Sequence, residues 1–136
     1  MIIADTSGLL ALFNVREPAH RAVRELVESE DARMVISPYV VAELDYLVAT
    51  RLGVAAEMAV LEELAGGAYA LPAFGPNDLS AAIDVLRRHP AQAISAADAS
   101  IVVLADRMQT TRVLTLDRRH FDVLRPMSGD HFTIVP

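Results

Sequence analysis

MIIADTSG (residues 1–8) opens the chain: four apolar or small residues, then a carboxylate and two hydroxyls. Met1–Ala4 has the composition of a strand lying inside a sheet, and SGLLALF (7–13) continues as a helix. A strand that runs straight into a helix sets an α/β frame, where ligands bind beyond the carboxyl ends of the strands. Asp5 falls at such an end. Its plain structural reading is a helix cap, since Asp, Thr and Ser all hold free backbone N–H groups at helix starts.

The alternation continues. RMVIS (33–37) reads as a second strand, AYALPAF (68–74) as a third, RVLTLD (112–117) as a fourth and HFTIVP (131–136) as a short last one. Pro72 assigns the third to an edge or a strand end. Helical spacing runs through AHRAVRELVESE (19–30), SPYVVAELDYLVATRLG (37–53), VAAEMAVLEELAGG (54–67), PNDLSAAIDVLRRH (76–89) and SAADASIVVLADRM (95–108). Ser37 with Pro38, Asn77 or Asp78, and Ser95 are the expected caps, and Gly53 a stop. Without linker, repeat or low-complexity stretch, residues 1–136 read as a single domain. Strands separated by helices imply a mainly parallel sheet of four to five strands, covered by helices on both faces.

Composition narrows the chemistry. Hydrophobic residues make up 53% of the chain, and a mean hydropathy of +0.33 predicts an apolar surface patch covered by a partner or a second copy. No apolar run reaches the roughly eighteen residues of a membrane helix. The start lacks the basic head of a signal peptide, and the absence of cysteine excludes disulfides and zinc–thiolate sites. The expectation is a cytoplasmic protein. Acids outnumber bases 18 to 12, a net charge of −6. That disfavours simple electrostatic capture of nucleic acid, unless several acids converge on a cation. Every base is Arg, so neither a Schiff base nor a Walker lysine is available.

Four acids resist assignment to the surface. Glu43 lies at the edge of the Val40, Leu44, Leu47 stripe, too far from Ser37 to cap; its plain reading is a Glu whose stem covers apolar surface. Asp98 lies among Ile94, Ile101, Val102 and Ala105, although Ser95-x-x-Asp98 has capping-box spacing. Asp117 ends a strand on the same side as Thr115 by alternation, or it opens the next short helix. Asp45 points roughly 200° away from Glu43 at about 100° per residue. Asp84, Asp106, Glu57, Glu62 and Glu63 fit solvated helix faces, Asp122 and Asp130 loops. His20, His89, His120 and His131 have no metal-ligand spacing.

Convergence above one sheet edge changes the reading. Two bare carboxylates ~4 Å apart repel by about 4 kcal/mol at an effective dielectric of 20. A set of them needs protons or a cation, and hard divalent ions prefer all-oxygen ligands. Such a site suits in-line phosphodiester hydrolysis. Asp5 then reads as a metal ligand supported by Thr6 or Ser7.

In order, IADTSGLLALF, SPYVVAELDYLV, ISAADASIVVLA and VLTLDRRHF resemble the PIN-domain ribonucleases, and within them the VapC-type toxins of toxin–antitoxin pairs. The resemblance spans nearly the whole chain. It implies a PIN-like three-layer α/β/α sandwich as a single PIN domain, Mg²⁺ or Mn²⁺ binding, and endonucleolytic RNA cleavage. By position Asp5, Glu43, Asp98 and Asp117 match the family's acidic quartet. Asp5, Asp98 and Asp117 would bind metal, the last directly or through water, while Glu43 would orient or deprotonate the attacking water. Ser7 and Thr115 are candidate supports. Arg112, Arg118 and Arg119 are candidate phosphate contacts, with Arg87 and Arg88 behind them, and Phe121 is assigned to the core. The resemblance also implies a homodimer and a cognate antitoxin, with helices around Leu47, Val48, Val60 and Leu61 as candidate surfaces.

Rival readings fare worse. An aspartate-nucleophile phosphohydrolase wants a second Asp where this chain has Ser7, and usually a Lys. Receiver domains also rely on a Lys, and a dinucleotide-binding turn needs glycines that are absent. The alternative from another class is a catalytically silent PIN-like module that binds RNA or protein. It would have no reason to tolerate four converging acids.

Overall fold

In the computed structural model, which describes residues 1–31 and 33–136, strands and helices alternate. They are β1 (Ile2–Ala4), α1 (Thr6–Phe13), α2 (His20–Ser29), β2 (Met34–Ile36), α3 (Pro38–Leu52), α4 (Val54–Ala65), α5 (Pro76–Arg88), α6 (Ala96–Arg107), β3 (Arg112–Leu114), α7 (Arg118–Val123) and β4 (Thr133–Val135). The four strands lie in the order β2-β1-β3-β4, every pair parallel. Helices flank this sheet as a three-layer α/β/α sandwich, the architecture expected from the sequence.

Parallel pairing buries the strands on both faces, so their side chains read as continuous apolar runs. Ile2, Ile3, Val35, Ile36, Val113 and Leu114 accordingly lie in the core. At α1 the chain comes unusually close to the sheet. A Cβ on Gly8 would stand 2.6 Å from Leu114 Cγ and 2.8 Å from Leu114 O. Only glycine lets α1 sit that tightly on β3, and this draws Ser7 toward the end of β3. Phe121 is buried edge-on against Phe132, in the core as expected.

Three expectations need correction. AYALPAF does not form a third strand: Ala70 alone makes a parallel bridge, its N–H donating to Met34 O and its carbonyl accepting from Ile36 N–H. Pro72, two residues on, has no N–H to continue the ladder. Helix α5 starts from Gly75 rather than Asn77 or Asp78, with Asp78 Oδ2 accepting from Gly75 N–H at 2.9 Å. Glu57 does not sit on a freely solvated face. It is half-buried where α4 packs on α3, and the neighbouring Asp45 carboxyl, together with burial, pushes its carboxyl above the ordinary value.

Of the residues expected at an apolar helix surface, Leu47 and Leu61 are half-buried. Val48 and Val60 are buried, whereas Tyr46 (67% exposed), Val54 (69%) and Met58 (50%) face out from α3 and α4. Among the described residues no helix is long and apolar enough to cross a membrane.

Candidate active site

The ends of β1 and β3 meet the flanks of α3, α6 and α7 in a cleft of about 340 Å³, whose walls include Asp5, Thr6, Ser7, Glu43, Asp98, Asp117 and His120. All four acids singled out in the sequence thus line one cavity.

Asp5 occupies the N-cap position of α1, yet its side chain makes no cap bond. Its Oδ2 instead accepts from Ser7 Oγ at 3.0 Å and from Thr115 Oγ1 at 2.7 Å. Those hydroxyls are themselves held by backbone donors. Leu116 N–H donates to Ser7 Oγ at 2.9 Å, and Asp117 N–H to Thr115 Oγ1 at 3.0 Å. Residues 115–117 therefore turn rather than continue β3, so Thr115 and Asp117 are joined by a hydrogen bond and not by strand alternation. Thr6 has no such role: its Oγ1 is buried without a hydrogen-bond partner.

Asp98 is both a cap and a cleft residue. Ser95 Oγ accepts from Asp98 N–H at 3.1 Å, while Asp98 Oδ2 accepts from Ser95 N–H at 3.0 Å. Asp5 is 7% exposed and Asp98 8%. Among the described residues the Oδ1 atoms of both accept no protein hydrogen bond, their Oδ2 atoms carrying the contacts. Burial pushes the Asp98 carboxyl above its ordinary value, and the charge of Asp5 adds to this; the Ser95 hydrogen bonds and His120 act against it. The amino end of α6 helps the charge to persist there.

The other two acids are more open. Asp117 is the N-cap residue of α7, again without a side-chain cap bond. Glu43 is exposed at the rim. Its helix is anchored next to α6 by Ser37 Oγ, which lies 2.6 Å from Ser100 Oγ and accepts from Tyr39 N–H at 3.2 Å.

Two cleft residues escaped the sequence reading. His120 Nδ1 lies 3.4 Å from Asp98 Oδ2 and 3.3 Å from Asp117 Oδ2. Its i,i+3 spacing from Asp117 on α7 was the available signal. Arg51 lines the cleft with Glu43 and Leu47, an i, i+4, i+8 row on one face of α3.

The predicted phosphate contacts separate. Arg112 stands at the amino end of β3, away from the cleft, and makes a two-pronged ion pair with Glu30 at 2.6 and 3.0 Å. Position in the strand removes it, since Arg112 begins the segment that Asp117 ends. Arg118 donates to Pro136 O at 3.2 Å. Arg119 extends into solvent with its Nε 4.0 Å from Asp117 Oδ1.

The donor set fits a hard divalent ion: carboxylate oxygens, of which Asp5 Oδ1 and Asp98 Oδ1 accept no hydrogen bond among the described residues, beside the unpartnered hydroxyl of Thr6. As the side chains stand, no three His, Asp or Glu groups among the described residues close around one point. A cation here would keep much of its own water, as Mg²⁺ commonly does.

Residues 2–125 match the family model of the PIN domain. Ribonuclease VapC26 of Mycobacterium tuberculosis is 55% identical over 135 residues, 99% of this chain and 100% of that protein. Among solved structures, the VapC20 toxin of M. tuberculosis, described as cleaving the sarcin–ricin loop, superposes with a TM-score of 0.85 at 20% identity and full coverage of both chains. A toxin–antitoxin complex from Klebsiella pneumoniae gives a TM-score of 0.71 at 15% identity, over 100% of this chain and 97% of that one. Acids, fold and relatives agree: the chain belongs to the PIN-domain family and, within it, to the VapC-type proteins.

Proposed function

We propose that this protein is a metal-dependent endoribonuclease, the toxin of a toxin–antitoxin pair, acting in the cytoplasm as a single PIN domain. One observation carries the reading. Asp5 sits where a helix cap would, does not cap, and shares a cleft with a second buried carboxylate whose proton affinity it raises. A fold has no structural use for that repulsion, whereas a bound cation relieves it. The ribonuclease at 55% identity supports RNA as the substrate class.

Asp5, Asp98 and Asp117 would hold Mg²⁺, for which Mn²⁺ can substitute. Such an ion would supply Lewis-acid polarisation of the phosphate and a more nucleophilic water at neutral pH. Ser7 and Thr115 fix Asp5 through Oδ2, so Oδ1 would be free to hold the ion. His120 steadies the carboxylates of Asp98 and Asp117. Glu43, exposed at the rim, takes the proton of the attacking water. A homodimer and a cognate antitoxin are part of the reading, with Tyr46, Val54 and Met58 as the apolar side chains α3 and α4 offer them.

The test is incubation of partner-free protein with total bacterial RNA in Mg²⁺ or Mn²⁺, followed by mapping of new 5′ ends. Discrete cuts that vanish with chelator and with Asp98→Asn are expected. RNA left intact by a protein whose melting metal does not change would favour the silent binding module, whereas intact RNA with metal binding would point to a missing substrate.

A further inference from the structure

A second cavity of about 410 Å³ is built from elements that also line the cleft, with buried Val85 and Val102 in its lining and Arg88, His89 and Arg125 beside them. Three elements contribute to both cavities. On α6, Asp98 faces the cleft and Val102 the second cavity, one helical turn further on. The segment between α5 and α6 gives His89 to the second cavity and Ala93 and Ser95 to the cleft. The chain through α7 gives His120 to the cleft and Arg125 to its neighbour.

Charge distinguishes this cavity from the rest of the protein. The chain carries a net −6, yet the cavity's lining includes two arginines and a histidine and no acid. Each basic group is braced rather than neutralised. Arg88 Nε donates to Asp84 O at 3.2 Å, His89 Nδ1 lies 3.0 Å from Val85 O, and Arg125 donates to Asp122 O at 2.6 Å. All three partners are backbone carbonyls, among the described residues neither guanidinium makes an ion pair with a carboxylate, and both arginines are exposed.

We infer that this cavity is a nucleotide subsite for the RNA strand, holding a residue next to the phosphate in the cleft. The inference rests on the ribonuclease reading and extends it. The buried valines suit a base, and guanidinium groups from two elements suit the phosphate on either side of it. The acidic cleft repels an RNA strand, so a neighbouring basic subsite supplies the grip that the catalytic carboxylates cannot.

The test is fluorescence anisotropy with a labelled single-stranded oligouridine, in chelator so that nothing is cut, across a salt series. Arg88→Ala and Arg125→Ala should each lower the slope of log K against log salt by about 0.7, and the double variant by about 1.4. Arg21→Ala, which removes the same charge from α2, should leave it unchanged. Arg125 braces the end of α7, so Arg88→Ala alone keeps the test valid if Arg125→Ala misfolds. Unchanged slopes, or no binding by the wild type at low salt, would overturn the subsite. So would an equal loss with a polyglutamate peptide of matching charge, which marks a general anion patch. Cleavage in Mg²⁺ or Mn²⁺ reads the ribonuclease assignment separately.

Discussion

Thr115 Oγ1 donates a 2.7 Å hydrogen bond to Asp5 Oδ2 across 110 positions of sequence. The same hydroxyl accepts from Asp117 N–H, so one side chain ties the ends of β1 and β3 and orients two acids. Thr115→Val keeps the shape and removes the bond. It should cost about 1.5–3 kcal/mol of stability, the range for bonds to charged groups. It should also weaken Mn²⁺ binding about 10–100-fold, as for other supports of metal ligands. Denaturant unfolding and calorimetric titration check the two effects.

Asp98→Asn should melt above the wild type without metal. Asn can still accept from Ser95 N–H at the start of α6, while the buried charge that Asp5 opposes is gone. With metal the order should reverse. Wild type gains about 2.7 kcal/mol at a metal concentration 100 times its dissociation constant, and the variant should gain much less. Thermal scans with and without Mn²⁺ decide it, and identical melts of both proteins in both conditions would count against a metal site.

Gly8→Ala should destabilise by about 1–3 kcal/mol, the usual cost of forcing atoms into a packed interface. Its Cβ meets the backbone oxygen of Leu114 at 2.8 Å, which cannot rotate away. Because α1 must lift from β3, the Ser7 contact with Asp5 should loosen too, and Mn²⁺ affinity should fall with stability.

The Glu30–Arg112 pair gives a pH signature away from the cleft. Arg112 holds the Glu30 carboxyl below its ordinary value, chiefly through the hydrogen bond. A depressed carboxylate contributes stability that is present above its unfolded value and lost as pH falls through the folded one. Arg112→Gln should therefore melt slightly below wild type at neutral pH and converge with it once Glu30 is protonated in both. A gap that persists in acid would assign Arg112 a different role.

Much of this was legible from local pattern. Asp5 and Asp117 follow apolar strands, Asp98 stands three residues after a capping serine, and Glu43 edges an apolar stripe; each position is fixed by its own element and survives any docking of the layers. The α/β alternation and the helix start at Ser37 followed in the same way. Arg112 is five residues from Asp117, yet strand direction puts the two at opposite ends of the β3 segment.

Packing decided the rest. The approach of His120 to Asp98 depends on how α7 lies against α6, and the nearness of Asp45 to Glu57 on how α4 folds back along α3. No hydrophobic period encodes either. AYALPAF has a strand's composition, but pairing is a contest for partners, and Pro72 loses it after one bridge. The chain's local chemistry therefore named the acids and their order, because capping, alternation and periodicity act over a few residues. Which oxygen of Asp5 is held, which arginines reach a cavity and which apolar faces stay open depend on contacts between distant segments, and those exist only in the folded protein.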